Sequence, residues 1–126
     1  MPYISSVAKG KPLHGVVETH AYLRDADDAG MDEEERAAFA TFIAQNPTAG
    51  DVVSGTGRCR KVRWKKPGNG KSRGYRVVTF YGGERVPIFL LTVFGKNDKA
   101  NLTQGERNAL AKLTATLVGS LKGTKK

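Results

Sequence analysis

The sequence predicts an α+β fold, in the broad α/β class. A small antiparallel sheet of about four strands packs against two N-terminal helices and one C-terminal helix. Apolar residues recur at helical spacing in the first 45 residues and again after residue 103. Between them the period changes to two, and three strand-like runs follow one another. The 126 residues suffice for one core. We expect one domain over residues 1–126, with flexible ends at 1–13 and 122–126.

The N-terminal part of the chain predicts a short strand followed by two helices. Residues 15–17 have strand character, and a polar segment at 19–28 predicts the first helix. Asp32 and Glu35 have the spacing of a capping box, which predicts the start of the second helix. That helix ends at Asn46, because the residue before a proline disfavours helical backbone. Between these ends it carries one apolar stripe, formed by Phe39, Phe42 and Ile43.

After a glycine-containing loop at residues 48–57, the first basic strand is predicted at residues 60–66. Val62 and Trp64 point to one side of it. The alternate positions carry three cations, Lys61, Arg63 and Lys65. The nearby rings of Trp64, Tyr75 and Tyr81 could stack on bases or fill the core. Because Trp64 shares its face with Val62, we place its ring in the core.

The rest of the chain predicts a hairpin and a final helix. The runs at 74–81 and 84–94 are separated by two glycines, which is typical of a tight two-residue hairpin. Residues 88–94 are apolar on both faces, which predicts the central strand of the sheet. Thr103 and Glu106 form a second capping box. The helix that follows, to about residue 121, carries a stripe of Leu110, Leu113, Leu117 and Leu121.

The charge of the chain is concentrated in its second half. The net charge is +9. Residues 1–57 hold 4 basic and 9 acidic side chains, whereas residues 58–126 hold 17 basic and 3 acidic ones. Nine cations and no acid lie between Arg58 and Arg76, with both arginines counted. Such a field attracts polyanions, and nucleic acid is the leading candidate, ahead of an acidic protein partner.

Several enzyme classes find little support in this sequence. Gly70-Lys71-Ser72 is similar to the end of a phosphate-binding loop, but the first glycine of that motif is missing and the context is strand–turn–strand. His14 and His20 favour structural or exposed roles over a catalytic pair. Cys59 fits a small residue at the start of a strand, with a thiolate activated by its two arginine neighbours as the alternative. The acidic cluster at 25–35 fits a solvated helix face better than a divalent-ion site. We expect no cofactor and no metal.

The basic strand, by contrast, supports chemistry on RNA. When a 2′-hydroxyl attacks the neighbouring phosphate, negative charge builds on the phosphoryl oxygens, and preorganised arginine and lysine donors stabilise it. A lysine surrounded by other cations has its charged form disfavoured, so it can act as base or acid. Such a reaction requires neither histidine nor metal.

An ordered set of motifs carries a resemblance to a known family. The segments are Asn46-Pro47-x-x-Gly50-Asp51, Gly55-Thr56-Gly57, Arg60-Lys61-Val62-Arg63-Trp64, Gly70-Lys71-Ser72-x-Gly74-x-Arg76-Val77, Leu90-Leu91, Lys96-Asn97 and Leu102-Thr103. In this order and spacing, over roughly residues 14–118, the chain resembles the RelE/HigB group of toxins from bacterial type II toxin–antitoxin pairs. The group belongs to the RelE/ParE superfamily.

The resemblance implies a RelE-like microbial RNase fold and a metal-independent endoribonuclease, an mRNA interferase that inhibits translation, often by cleaving in the ribosomal A site. Carried over by motif, the catalytic residues are Lys61, Arg63, Arg76 and Lys96. The two arginines would hold the scissile phosphate, and Lys61, or else Lys96, would act as base or acid. The RNA-binding residues implied beside them are Lys65, Lys66, Lys71, Arg73 and Asn97.

The resemblance also implies the partners of the protein. These are a cognate antitoxin, mRNA with the ribosome, and operator DNA reached through the antitoxin complex. No apolar stretch approaches the roughly 20 residues of a membrane span, and the N-terminus lacks the apolar region of a secretory signal. We therefore expect a cytoplasmic protein without a membrane partner.

The chain departs from its relatives at three positions, and two other functions remain open. Arg58 and Arg73 stand where relatives often carry glycine, and the tyrosine that some relatives carry after the last strand would fall near Leu102. The related ParE group shares the fold but poisons DNA gyrase, so fold alone does not fix the target. A non-catalytic RNA-binding module that uses the same basic strand is the alternative from another class.

Overall fold

Five strands form one sheet, and three helices pack against it. A computed structural model describes residues 15–65, 74–95 and 101–123, with side chains up to residue 119. The elements are β1 (Val16–Glu18), α1 (His20–Ala29), α2 (Glu33–Gln45), β2 (Asp51–Val52), β3 (Arg60–Lys65), β4 (Gly74–Tyr81), β5 (Ile88–Gly95) and α3 (Gln104–Gly123). The expected mixed α/β fold is confirmed, and the expected flexible ends lie largely outside the described residues.

The sheet is mixed and has the order β1-β5-β4-β3-β2. The strands β3, β4 and β5 pair antiparallel as predicted, and β2 pairs antiparallel with β3. The short strand β1 pairs parallel with β5, which differs from the expected antiparallel sheet. The apolar strand β5 is interior, between β1 and β4, although β4 and not β5 is the middle strand of the five. The prediction that β5 is an interior strand, paired along both edges, is therefore confirmed. Its predicted place as the central strand is wrong by one position in the strand order.

Two connections differ from the sequence-based expectation. The predicted loop at residues 48–57 contains β2, whose two residues pair with Arg60 and Lys61. The predicted two-residue hairpin is wrong, because residues 82–87 form a longer connection and the next strand starts at Ile88. There Gly83 has a φ of 127°, and the Val86 amide donates to its carbonyl at 3.4 Å. Pro87 has no amide to donate to a ladder, which delays the strand by one residue further.

The predicted helix starts are confirmed atom by atom. In α2 the Asp32 carboxylate accepts from the Glu35 amide at 2.9 Å, and the Glu35 carboxylate accepts from the Asp32 amide at 2.9 Å. Thr103 and Glu106 form the same reciprocal pair at the start of α3, at 3.1 and 2.8 Å. The helix α2 ends at Gln45, with Asn46 as its C-cap next to Pro47, as predicted. These caps fix where each helix begins relative to the sheet.

Two apolar cores lie on opposite faces of the sheet. Helices α1 and α2 cover one face, where Trp64 packs edge-on against Phe39 and tilted against Phe42, both with ring centroids 5.2 Å apart. The core position predicted for Trp64 is thus confirmed. The other face packs against Leu102 and Leu110, at the start of α3. The core over the first face is the larger of the two.

The apolar stripe of α3 is only partly buried. Leu110 is 8% exposed and Leu117 packs against the second core, but Leu113 is 40% exposed. The side chain of Leu121 lies outside the described residues. Near its middle, the helix is also held by Thr114. The Thr114 hydroxyl is within donating distance of two backbone carbonyl oxygens, that of Thr56 at 3.3 Å and that of Ala111 at 3.1 Å. A polar contact therefore replaces one of the predicted leucine contacts.

Candidate active site

Four cations share one surface of β3 and β4. Val62 of β3, and Tyr75 and Val77 of β4, are buried in the core beneath α1 and α2. Because side chains alternate along a strand, the residues between them point to the opposite surface of the sheet. We call this surface the basic face and define it by Lys61, Arg63, Lys65 and Arg76. On the same surface, Val78 and Phe80 of β4 pack under the start of α3. The basic face is thus the part of the sheet that borders α3.

Arg63 and Arg76 are directly opposite each other on adjacent strands. Arg63 is exposed and Arg76 is half-buried. Within the described parts of the chain, neither guanidinium has a carboxylate within ion-pair distance. Like charges directly opposite on a sheet repel each other and destabilise the pairing. An anion bound between these two side chains would remove that repulsion.

A glycine lies beside the pair. A β-carbon placed on Gly74 would make ordinary contacts, 3.6 Å from the Trp64 carbonyl oxygen, 3.9 Å from Arg76 Nη1 and 4.0 Å from Lys65 Cγ. Lys65 and Gly74 are themselves partners across the two strands. The side chains of Lys65 and Arg76 therefore flank Gly74.

The opposite surface of β4 holds the basic face in place. Tyr75, next to Arg76, is 6% exposed and turns its ring into the core. Its hydroxyl lies 3.3 Å from the Glu35 carboxylate and 3.3 Å from the Gly30 carbonyl. Glu35 is itself fixed by the capping box of α2. The first turn of α2 thus anchors the strand that carries Arg76.

Among the described residues, Lys61 differs from the other three cations in that its ammonium has a side-chain partner. Lys61 Nζ donates to Asn101 Oδ1 at 3.0 Å. Asn101 lies just before α3 and was not predicted from the sequence, since the contact spans 40 residues. Its neighbour Leu102 is buried in the second core.

Four of the nine predicted site residues are placed by the structure, and the other five fall outside the described residues. The structure brings Lys61, Arg63, Lys65 and Arg76 onto one surface. The predicted residues outside the described segments are Lys66, Lys71, Arg73, Lys96 and Asn97. Their roles stay predictions.

Two further cations of the basic segment have different surroundings. Arg60 points away from the basic face, and its Nη1 donates to the carbonyls of Thr48 and Gly50 at 3.1 and 3.2 Å. It therefore fixes the turn after α2. Arg58 has a φ of 77°, the only non-glycine residue of the described chain with positive φ. A left-handed backbone favours glycine, so Arg58 holds a backbone conformation that residues with a side chain rarely adopt.

Cys59 is a core residue and not a nucleophile. It is fully buried, and its amide donates to Thr56 Oγ1 at 3.0 Å. Burial raises the pKa of the Cys59 thiol to about 11. Because the thiolate is the reactive form, the alternative of an activated thiol is wrong.

Native Cys59 is expected to react with iodoacetamide at pH 7.5 at least about 100-fold more slowly than the same residue in the urea-unfolded chain. The raised pKa lowers the thiolate fraction, and burial blocks access to the sulfur. The native rate should rise with pH towards 11, as the thiol ionises. Mass spectrometry of timed samples measures both rates, and equal rates in the native and unfolded chain would contradict the structural role of Cys59.

The acidic residues and the histidines form no second centre in the described segments. Asp25 accepts from the Thr92 hydroxyl at 2.6 Å, and Asp32 and Glu35 cap α2. No group of three or more metal-ligating side chains is found there. His20 is exposed, and His14 lies outside the described residues. None of the described helices combines the length and apolar character needed to cross a membrane.

The match to a known family covers all three helices and the sheet except for Val16, the first residue of β1. A family model described as the RelE toxin of the RelE/RelB toxin–antitoxin system matches residues 17–124. The matched segment includes the basic face, the cap of α3 and Asn101. By this match the chain belongs to the RelE toxin family, and it is the toxin member of a toxin–antitoxin system, the kind of protein that is paired with an antitoxin.

Proposed function

We propose that this toxin is an endoribonuclease that cleaves mRNA on the ribosome and so inhibits translation. The observation that carries the proposal is the Arg63–Arg76 pair, two cations opposite each other that lack carboxylate partners among the described residues. Such a pair suits the phosphodiester of RNA, whose charge increases during cleavage. The reaction is that of an mRNA interferase of the RelE/HigB type.

The proposed step is an attack within the RNA itself. The 2′-hydroxyl loses its proton to a base and its oxygen bonds to the adjacent phosphorus. The bond from phosphorus to the 5′-oxygen breaks, and that oxygen takes up a proton. The products are a 2′,3′-cyclic phosphate and a 5′-hydroxyl. Charge develops on the non-bridging oxygens, where guanidinium groups stabilise it most.

The residues of the basic face have separate roles in this proposal. Arg76 and Arg63 hold the scissile phosphate, and Lys61, or else Lys96, exchanges the proton. The residues proposed to bind the RNA backbone on either side of the scissile phosphate are Lys65, Lys66, Lys71, Arg73 and Asn97. These side chains perform the proposed step without a metal or a cofactor.

The proposed partners follow from the substrate. The mRNA would be met on the ribosome in the cytoplasm, and the antitoxin would neutralise the toxin. The antitoxin complex would in turn bind operator DNA.

Mapping of RNA and DNA ends after induction of the toxin in cells tests the proposal against its alternatives. New in-frame 5′ ends within coding sequences are expected, since a ribosome-bound cut follows the reading frame. Double-strand DNA breaks instead would indicate a ParE-like gyrase poison. Neither kind of end, with RNA still bound by the purified protein, would indicate a non-catalytic RNA-binding module.

Binding to single-stranded RNA should weaken steeply with salt. With about five phosphate contacts, log affinity is expected to fall against log salt with a slope near −3.5, at about 0.7 per contact. Lys65→Ala should reduce the slope by about 0.7 because Lys65 is an exposed member of the basic face. Arg24→Ala, which removes one exposed cation from α1 on the other side of the sheet, is the matched control and should leave the slope unchanged. An affinity that does not depend on salt would contradict the proposal that the basic face binds the RNA phosphates.

A further inference from the structure

Lys61 and Asn101 form a contact that the proposed roles above do not use. Lys61 Nζ donates to Asn101 Oδ1 at 3.0 Å, and the two residues belong to different parts of the fold. Lys61 is half-buried on β3, between the exposed Arg63 and the turn-bound Arg60. Because the nearby cations repel its ammonium, the side chain would turn towards water without an acceptor.

Asn101 is held in place on its C-terminal side. Leu102 is buried in the second core, and the Thr103 hydroxyl and the Glu106 carboxylate close the cap of α3. The backbone on this side of Asn101 is therefore anchored, and its exposed side chain reaches Lys61 at the surface of the protein. An acceptor on an anchored backbone restricts a lysine that otherwise has four freely rotating bonds.

The chemistry of the acceptor suits a site for an anion. A carboxylate at position 101 would pair with Lys61 and cancel one charge of the basic face. The neutral amide oxygen of Asn101 orients the ammonium and leaves its charge uncancelled. The field that attracts a phosphodiester is thereby kept, while the direction of the lysine is set.

We propose that Asn101 is a positioning residue, which holds Lys61 on the basic face beside the phosphodiester bound by Arg63 and Arg76. This inference rests on the proposed function, and it makes Lys61 the lysine whose orientation the cleavage step depends on. Loss of the acceptor leaves the ammonium in several orientations, of which few point to the reacting atoms. The cost falls on the rate of the bound complex rather than on binding.

A double-mutant cycle in a purified translation system tests the role. Cleavage of mRNA on programmed ribosomes is measured for the wild-type protein, Asn101→Ala, Lys61→Ala and the double variant. Asn101→Ala is expected to lower kcat by about tenfold with KM and Tm unchanged. The double variant should be no slower than Lys61→Ala alone, because Asn101 acts through Lys61. Asn108→Ala, which removes an acceptor 3.0 Å from Gln104 Nε2 on α3, is the matched control and should keep the wild-type rate.

The cycle separates the failure of this inference from the failure of the proposed function. A wild-type protein that cleaves no mRNA overturns the proposed function, and the inference with it. A wild-type protein that cleaves, together with an Asn101→Ala variant as fast as Asn108→Ala, overturns the inference alone. Losses that multiply in the double variant, or a fall in Tm that accounts for the lost rate, would show that Asn101 only ties β3 to α3.

Discussion

Replacing Arg76 with alanine is expected to lower the cleavage rate of the bound complex by about 10²–10³, with little loss of RNA affinity. Arg76 faces Arg63 across the two strands, and its contact with the phosphate strengthens as charge develops there. A rapid-mixing experiment with toxin in excess over ribosome-bound mRNA measures this rate separately from binding.

The control for Arg76 is its effect on folding. In the described chain Arg76 makes one weak hydrogen bond, from Nη1 to the Tyr75 carbonyl at 3.5 Å. Its removal relieves repulsion from Arg63, so the Tm should stay unchanged or rise. Arg85→Ala, which removes an exposed arginine from the connection between β4 and β5, should affect neither rate nor Tm. An Arg76→Ala protein that is folded, equally stable and fully toxic in cells would end the assignment of Arg76 to the active site.

Phe39→Ala is expected to lower the free energy of unfolding by about 3–5 kcal/mol. Phe39 is fully buried, and the centroid of its ring lies 5.2 Å from that of Trp64. Trp64 belongs to β3 and points to the surface of the sheet opposite the basic face. The substitution removes this edge-to-face contact and leaves a cavity under β3. Urea unfolding followed by circular dichroism measures the change.

Phe42→Ala provides the comparison on the same helix. Phe42 also lies 5.2 Å from Trp64, but it is only half-buried, so its replacement should cost clearly less. A loss below about 1 kcal/mol for Phe39→Ala would mean that α2 does not support β3 in the way described.

The composition of the basic face could be read from the sequence because it depends on local rules. Strand alternation alone puts Lys61 and Arg63 on one surface and Val62 on the other. The Asp32–Glu35 box and the Asn46–Pro47 ending each act within a few residues, and both are confirmed. Predictions of this kind need no knowledge of how distant segments meet.

The features that the sequence did not predict depend on distant segments or on single backbone positions. The parallel pairing of β1 with β5 joins Val16 to Ile88, and no short-range pattern indicates it. The contact of Asn101 with Lys61 depends on where α3 starts relative to β3. Strand alternation separates Arg60 from Arg63, but it does not indicate that Arg60 binds carbonyls in the turn after α2.

The most direct test of the account is a single 2′-deoxy substitution in the mRNA at the nucleotide where the toxin cuts. The modified mRNA is bound to ribosomes in a purified translation system, and cleavage at that bond is compared with the unmodified mRNA. The account predicts that the bond is no longer cut, since the attacking hydroxyl is missing, while unmodified mRNA yields a 5′-hydroxyl end. Cleavage of the deoxy mRNA at the same bond and rate, or a 5′-phosphate end on the unmodified product, would contradict it.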